Sequence, residues 1–88
     1  MVGARTFKAS AYSLRGRTAS GEYVRQGIIA ADPRVLPIGT RVYIEGMGTF
    51  VVKDTGGAIK NNRIDIWMPS TANAIKFGRR TVQLTVLD

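Results

Sequence analysis

Asp32, Asp54 and Asp65 are the residues of this 88-residue chain best placed to do chemistry. The chain contains neither His nor Cys, so the usual general base, a thiolate zinc site, a Cys nucleophile and a disulfide framework are all excluded. Any reaction must run on carboxylates, Lys, Tyr, Ser or Thr. Asp54 ends a β-branched run, Val51-Val52-Lys53, and is followed by Thr55-Gly56-Gly57. Asp65 lies in the alternating stretch Arg63-Ile64-Asp65-Ile66-Trp67, where Ile64 and Ile66 share one face and Arg63, Asp65 and Trp67 the other. The pattern from Val51 to Trp67 predicts a strand, a tight loop and a second strand with carboxylates at the ends.

Each of these residues has a structural reading beside the chemical one. Asp32 precedes Pro33, a context that favours an extended or turn conformation, so it either starts a turn or aims its carboxylate into a groove. Asp65 is either the acid of a sugar-binding face, between a cation and an indole, or one partner of a solvated Arg63–Asp65 pair. Gly56-Gly57 lets backbone amides approach a sugar oxygen, or simply makes a turn. Trp67 either stacks on a pyranose ring or packs at a groove edge. Three carboxylates also suit Ca²⁺ or Mg²⁺, but no dense oxygen-ligand loop accompanies them and no metal is expected. Asp54-Thr55-Gly56 also occurs in aspartic proteases. Against that reading, Lys53 precedes the Asp in place of an apolar residue, and too few strands follow it.

The elements that must position these residues are short. Residues 6 to 14 alternate, with Phe7, Ala9 and Ala11 on one face and Lys8, Ser10 and Tyr12 on the other, which predicts a strand. The small and hydroxylic residues from Arg15 to Glu22, including Thr18, Ser20 and Gly21, predict a loop, either a plain turn or a donor-bearing wall of the site. Gly27 to Ala31 is a short buried strand. Arg41 to Glu45, with Val42 and Ile44 inward, turns at Gly46-Met47-Gly48 into a strand from Thr49 to Lys53, a β-hairpin. Ser70 suits an N-cap, Thr71 to Phe77 a short helix and Gly78 the residue beyond its end. Thr81 to Leu87 closes the chain with Val82, Leu84 and Val86 inward. Ile38-Gly39-Thr40-Arg41-Val42-Tyr43-Ile44 resembles Phe77-Gly78-Arg79-Arg80-Thr81-Val82-Gln83-Leu84 with one insertion, as two related halves of a small closed barrel would. Many short strands, one or two short helices and abundant Gly point to an all-β barrel.

Eighty-eight residues suit one domain, with its core from about residue 7 to 87 and a radius of gyration of about 12 Å. Apolar residues make up 44% and must build a single core, because a domain this small buries only about 60% of the surface its unfolded chain exposes. The net charge of +7 favours an anionic partner. The cations are scattered, with no basic tract or helix of the kind that reads nucleic acid, so no nucleic-acid partner is expected. The longest apolar run, Ile28-Ile29-Ala30-Ala31, is far short of the ~20 residues of a membrane span, and no membrane insertion is expected. Met1-Val2-Gly3-Ala4-Arg5 is not followed by the apolar region of a signal peptide, so the chain reads as cytoplasmic or as a mature or excised piece.

Ala31-Asp32-Pro33, Asp54-Thr55-Gly56-Gly57-Ala58-Ile59-Lys60 and Arg63-Ile64-Asp65-Ile66-Trp67, in that order, strongly resemble the 3D domain, a family named for three aspartates. The Tyr12 strand, Thr18-Ala19-Ser20-Gly21 and Val35-Leu36-Pro37-Ile38-Gly39-Thr40 fit the same pattern, so the likeness runs from about Phe7 to Leu87. The resemblance implies a six-stranded double-psi β-barrel. The family includes peptidoglycan lytic transglycosylases similar to the stationary-phase survival proteins of spore-forming bacteria and to the MltA-type catalytic barrel. It implies Asp65 as the catalytic acid/base, with Asp54 and Asp32 as the other two signature carboxylates. Groove-wall or substrate-binding roles fall to Tyr12, Thr18, Ser20, Gly21, Thr55, Gly56, Gly57, Lys60, Arg63 and Trp67. Its implied partner is a peptidoglycan glycan strand outside the membrane, and it implies no cofactor. The Thr18-to-Gly21 segment also resembles barwin and expansin-like barrels, some of which bind wall polysaccharide without cleaving it. A free Asp titrates at about 3.9, so an acid role requires burial or a neighbouring carboxylate to raise Asp65. Arg63, Lys60 and Lys53 must then point to substrate or solvent.

Overall fold

The computed structural model describes residues 3–87. Its six strands are β1 (Arg5–Tyr12), β2 (Ile28–Ala31), β3 (Arg41–Ile44), β4 (Gly48–Asp54), β5 (Arg63–Trp67) and β6 (Arg80–Val86), and one helix, α1 (Thr71–Phe77), precedes the last. They close into a barrel in the order β1-β5-β2-β4-β3-β6, with a radius of gyration of 11.7 Å. β1 with β5 and β2 with β4 are parallel pairs, and the other four are antiparallel. This is the all-β six-stranded barrel expected, with a single short helix.

The alternation of the sequence sets the interior. Phe7 and Ala9, Val42 and Ile44, Ile64 and Ile66, and Val82 and Leu84 all enter one buried cluster, joined by Ile29, Ala31 and Val52. Ile64 is fully excluded from solvent, so its side chain contributes about 1.5–3 kcal/mol by burial. β2 is buried along its whole length: Ile29 and Ala31 join the core, while Ile28 and Ala30, outside it, are covered as well. A strand buried on both faces reads as a continuous apolar run, which is why Ile28-Ile29-Ala30-Ala31 shows no alternation.

Exchanging β1 with β4, β2 with β5 and β3 with β6 returns the same set of neighbours, each parallel or antiparallel as before. The barrel therefore has a pseudo-twofold topology. The resembling segments Ile38–Ile44 and Phe77–Leu84 lead into the equivalent strands β3 and β6. Gly39 (φ 97°) and Gly78 (φ 64°) begin these approaches with positive φ, where a side chain would be strained. Gly78 also ends α1, its N–H donating to the Ala74 carbonyl, and Ser70 caps the other end by accepting from the Asn73 N–H.

Candidate functional site

Residues paired directly across neighbouring strands project from the same side of a sheet. Ser10 pairs with Asp65, Asp65 with Ala30, and Ala30 with Asp54. Ala30 points away from the core, because Ile29 and Ala31 on either side of it belong there. Ser10, Asp65, Ala30 and Asp54 therefore form one row across the outside of four strands, with Ala30 as the floor between two carboxylates. The Cα atoms of Asp65 and Asp54 lie two strand spacings apart, about 9.5 Å.

Asp54 reaches this row through a register slip. Ile29 pairs with Val52 but Ala30 with Asp54, leaving Lys53 as an extra residue. Simple alternation from buried Val52 would turn Asp54 inward. The inserted residue re-aims it to the outer face, as bulges do. Lys53 turns to Glu22, with Nζ donating to Oε2 at 2.7 Å, so it does not lie against Asp65.

The Asp54 carboxylate is filled on both oxygens. Oδ1 accepts from the N–H groups of Ala19 at 3.0 Å and Thr55 at 2.9 Å, and Oδ2 accepts from the Tyr12 hydroxyl at 3.2 Å. Burial first, then the charge and hydrogen bond of Asp54, push the Tyr12 hydroxyl well above the ordinary phenol value, so Tyr12 stays a donor. Asp65 accepts from the Ser10 hydroxyl at 3.0 Å. Burial is the main cause that raises the Asp65 carboxyl above its ordinary value. The Ser10 bond and the Arg63 charge oppose it, and the Asp54 charge adds to it. Arg63 acts only at a distance: the ion pairs among the described residues are Arg25–Glu22, Arg34–Asp32 and Lys53–Glu22.

Asp32 is wired elsewhere. It is buried; the Arg34 guanidinium donates to its two oxygens at 3.1 and 2.9 Å, and the N–H groups of Arg34 and Asn61 donate at 3.0 Å each. The Arg34 side chain, followed by these amides, holds the carboxyl far below the ordinary carboxylate range. Asp32 is not among the groups that act on Asp65. Its bond instead ties the turn after β2 to Asn61, a left-handed residue (φ 57°) at the entrance to β5. Through that bond Asp32 can position the strand that carries Asp65.

Trp67 lies on the outer face, as the alternation required, opposite Tyr12, yet only 5% of its surface is exposed. The loop after β1 covers it: the indole Nε1 donates to the Leu14 carbonyl at 2.9 Å, and the Arg15 guanidinium lies 6.0 Å from the ring centroid. The stacking platform is therefore corrected to a packing residue. Thr18 is buried, its hydroxyl bonded to the Ser20 hydroxyl (2.7 Å) and the Glu22 carbonyl (2.9 Å). Gly21 donates to the Thr18 carbonyl at 2.9 Å. Those groups hold the loop, and its direct contribution to the site is the Ala19 N–H. Gly56 makes the tight turn, its carbonyl accepting from the Ile59 N–H at 3.0 Å. A Cβ there would come within 2.9 Å of Ile59 Cγ1, whereas one at Gly57 would meet nothing within 4 Å. Lys60 is exposed.

Ser10 and the Ala19 amide were not singled out from sequence. Ser10 was legible in principle, sharing the outward parity of Lys8 and Tyr12. No group of three or more acidic residues among those described is close enough to hold a metal ion.

The model of the 3D domain matches residues 27–88. The chain belongs to the 3D domain family. Among relatives of this 3D domain, the cell wall-binding protein YocH of Bacillus subtilis is 41% identical over 91 residues covering 99% of the chain. YabE of the same organism, named for cell wall shaping, is 36% identical over 91 residues, again covering 99%. The chain spans 32% and 22% of those two proteins' own lengths. Among solved structures, MltA from Escherichia coli, described as a lytic transglycosylase fold, superposes with a TM-score of 0.70 at 22% identity, covering 85% of this chain and 28% of that one. MltA with bound chitohexaose superposes with a TM-score of 0.62 at 20% identity, covering 85% of this chain and 29% of that one. At these identities the likeness is one of fold.

Proposed function

We propose that this 3D domain is a peptidoglycan lytic transglycosylase acting outside the membrane, with Asp65 as its acid/base. The observation that carries the reading is the half-buried Asp65 held by Ser10 in an outward row with Asp54. Fold likeness to MltA and the cell-wall names of YocH and YabE support the substrate class.

In this reading the protonated Asp65 gives its proton to the oxygen of the β-1,4 bond between MurNAc and GlcNAc as the C1–O bond breaks. The resulting carboxylate then takes the proton of the MurNAc C6 hydroxyl as O6 bonds to C1. The products are a 1,6-anhydro-MurNAc end and a free GlcNAc hydroxyl; no water is consumed and Asp65 is reprotonated. Because the nucleophile belongs to the substrate, one carboxyl group does the work that two share in a glycoside hydrolase. Asp54, fixed by three donors, supplies the charge that helps keep Asp65 protonated, and Tyr12 offers a neutral hydroxyl at the groove wall.

Incubating the protein with sacculi should release 1,6-anhydro-muropeptides detectable by mass spectrometry. Retention on sacculi with no anhydro product would instead support the second reading, a non-catalytic wall-binding module of the barwin or expansin kind. That alternative is favoured by the name of YocH.

A further inference from the structure

Beside the carboxylate row lies a cleft of about 420 Å³ whose walls are Lys8, Arg63, Arg79 and Arg80, with Ala9 and Thr81. The register explains the crowding: Lys8 stands opposite Arg63 on β5 and opposite Thr81 on β6, and Ala9 opposite Arg80. Arg80 is held in place, its Nε donating to the Phe77 carbonyl at 3.1 Å and its guanidinium 4.3 Å from the Phe77 ring centroid. None of the four belongs to an ion pair among the described residues, where Glu22 and Asp32 take up the paired cations. Four like charges around one concavity repel one another, and an anion bound between them relieves that repulsion.

The position of the cleft says which anion. Lys8 and Arg63 lie two residues before Ser10 and Asp65 on the same outer faces, about 6.6 Å along the strands. Arg79 also lines the shallow groove of Ser10, Tyr12 and Ser13, so cleft and groove share a wall. The anion is therefore carried by the same polymer that lies at Asp65. On a glycan strand two substituents of MurNAc bear charge: the peptide stem, through its carboxylates, and phosphodiester polymers attached at the C6 hydroxyl. The second source blocks the hydroxyl that must attack C1. We propose that the cleft binds a carboxylate of the peptide stem, so that the domain selects stem-bearing glycan; this rests on the lytic reading above.

The test compares three preparations of purified glycan strands at low salt: strands with free stem carboxylates, the same strands with those carboxylates converted to methylamides, and strands retaining phosphodiester polymer but with amidated stems. The domain should bind the first about tenfold or more tightly than the second. Lys8→Gln combined with Arg79→Gln should bring that ratio close to one, with an unchanged melting temperature showing that the variant is folded. A wild-type ratio near one, with anhydro product still formed, overturns the cleft assignment alone, as does affinity that follows the phosphodiester. Absence of both binding and product with all three overturns the glycan reading and the cleft assignment together.

Discussion

In the proposed reaction the carboxyl group that protonates the glycosidic oxygen must hold its proton, and the surroundings of Asp65 shift it in that direction. Burial and Asp54 raise its pKa, while the Ser10 hydroxyl and Arg63 temper the rise. In the proposed reaction the first step needs the protonated form, so the rate should fall as pH rises through the Asp65 pKa. Ser10→Ala removes a donor to the charged form, so it should move that alkaline limb to higher pH in a pH–rate profile of anhydro-product release. An unmoved limb would mean that another group titrates. Asp65→Asn should lower the rate by about 10²- to 10⁴-fold while the barrel stays folded. The sign for stability follows from the raised pKa: the folded state penalises the charged form, so wild-type stability is greatest below the ordinary carboxylate pKa and declines as pH rises through the raised one. Melting curves should show Asp65→Asn more stable than wild type at neutral pH, with the gain vanishing in acid.

At the scale of elements, the site depends on how loops and strand ends are tied. Asp32 has the opposite electrostatic character to Asp65, its pKa being depressed by Arg34 and two amides. Its stabilising effect is present above the ordinary carboxylate pKa and is lost only as pH falls through the depressed one. Asp32→Asn should therefore lower the melting temperature by roughly 5 °C or more at neutral pH and flatten its acid dependence. It should also slow product release, because Asn61 and the entrance to β5 lose their tie. If melting is unchanged, the positioning role is wrong. Gly56→Ala forces a methyl group against buried Ile59 and should cost about 1–3 kcal/mol, whereas Gly57→Ala should be nearly neutral; chemical denaturation separates the two. Strands β3, β5 and β6 and the capped helix were legible in sequence because inward and outward residues alternate and Ser70 and Gly78 mark the helix ends. The outward turn of Asp54 was not, since a one-residue register slip at Lys53 is decided by pairing with β2 and leaves no local sign. Nor was the cover over Trp67, which depends on where the Leu14 carbonyl lands after the barrel closes.

For the whole molecule, the twofold exchange of strands has a chemical consequence. β2 and β5 are exchanged with each other, and at their central pair Ala30 faces Asp65; one half supplies an acid where the other supplies a methyl group. The topology is nearly symmetric and the site is not, which suits a reaction needing one proton donor. The weak likeness between the two Gly-led approaches showed the symmetry in sequence, but the inequality at the central pair appears only once the register is known. The charge of +7 acts at the same scale. In the proposed reading, long-range attraction contributes to capture of an anionic polymer. The screening length falls from about 10 Å to about 3 Å between 0.1 and 1 M salt, which is shorter than the extent of the cation cleft and its surroundings. The fraction of protein retained on sacculi should therefore drop steeply over that range in a sedimentation assay, and the Lys8→Gln/Arg79→Gln variant should show a shallower decline. Salt-independent retention would place the binding energy in neutral sugar contacts along the groove and remove the charge from the account of capture.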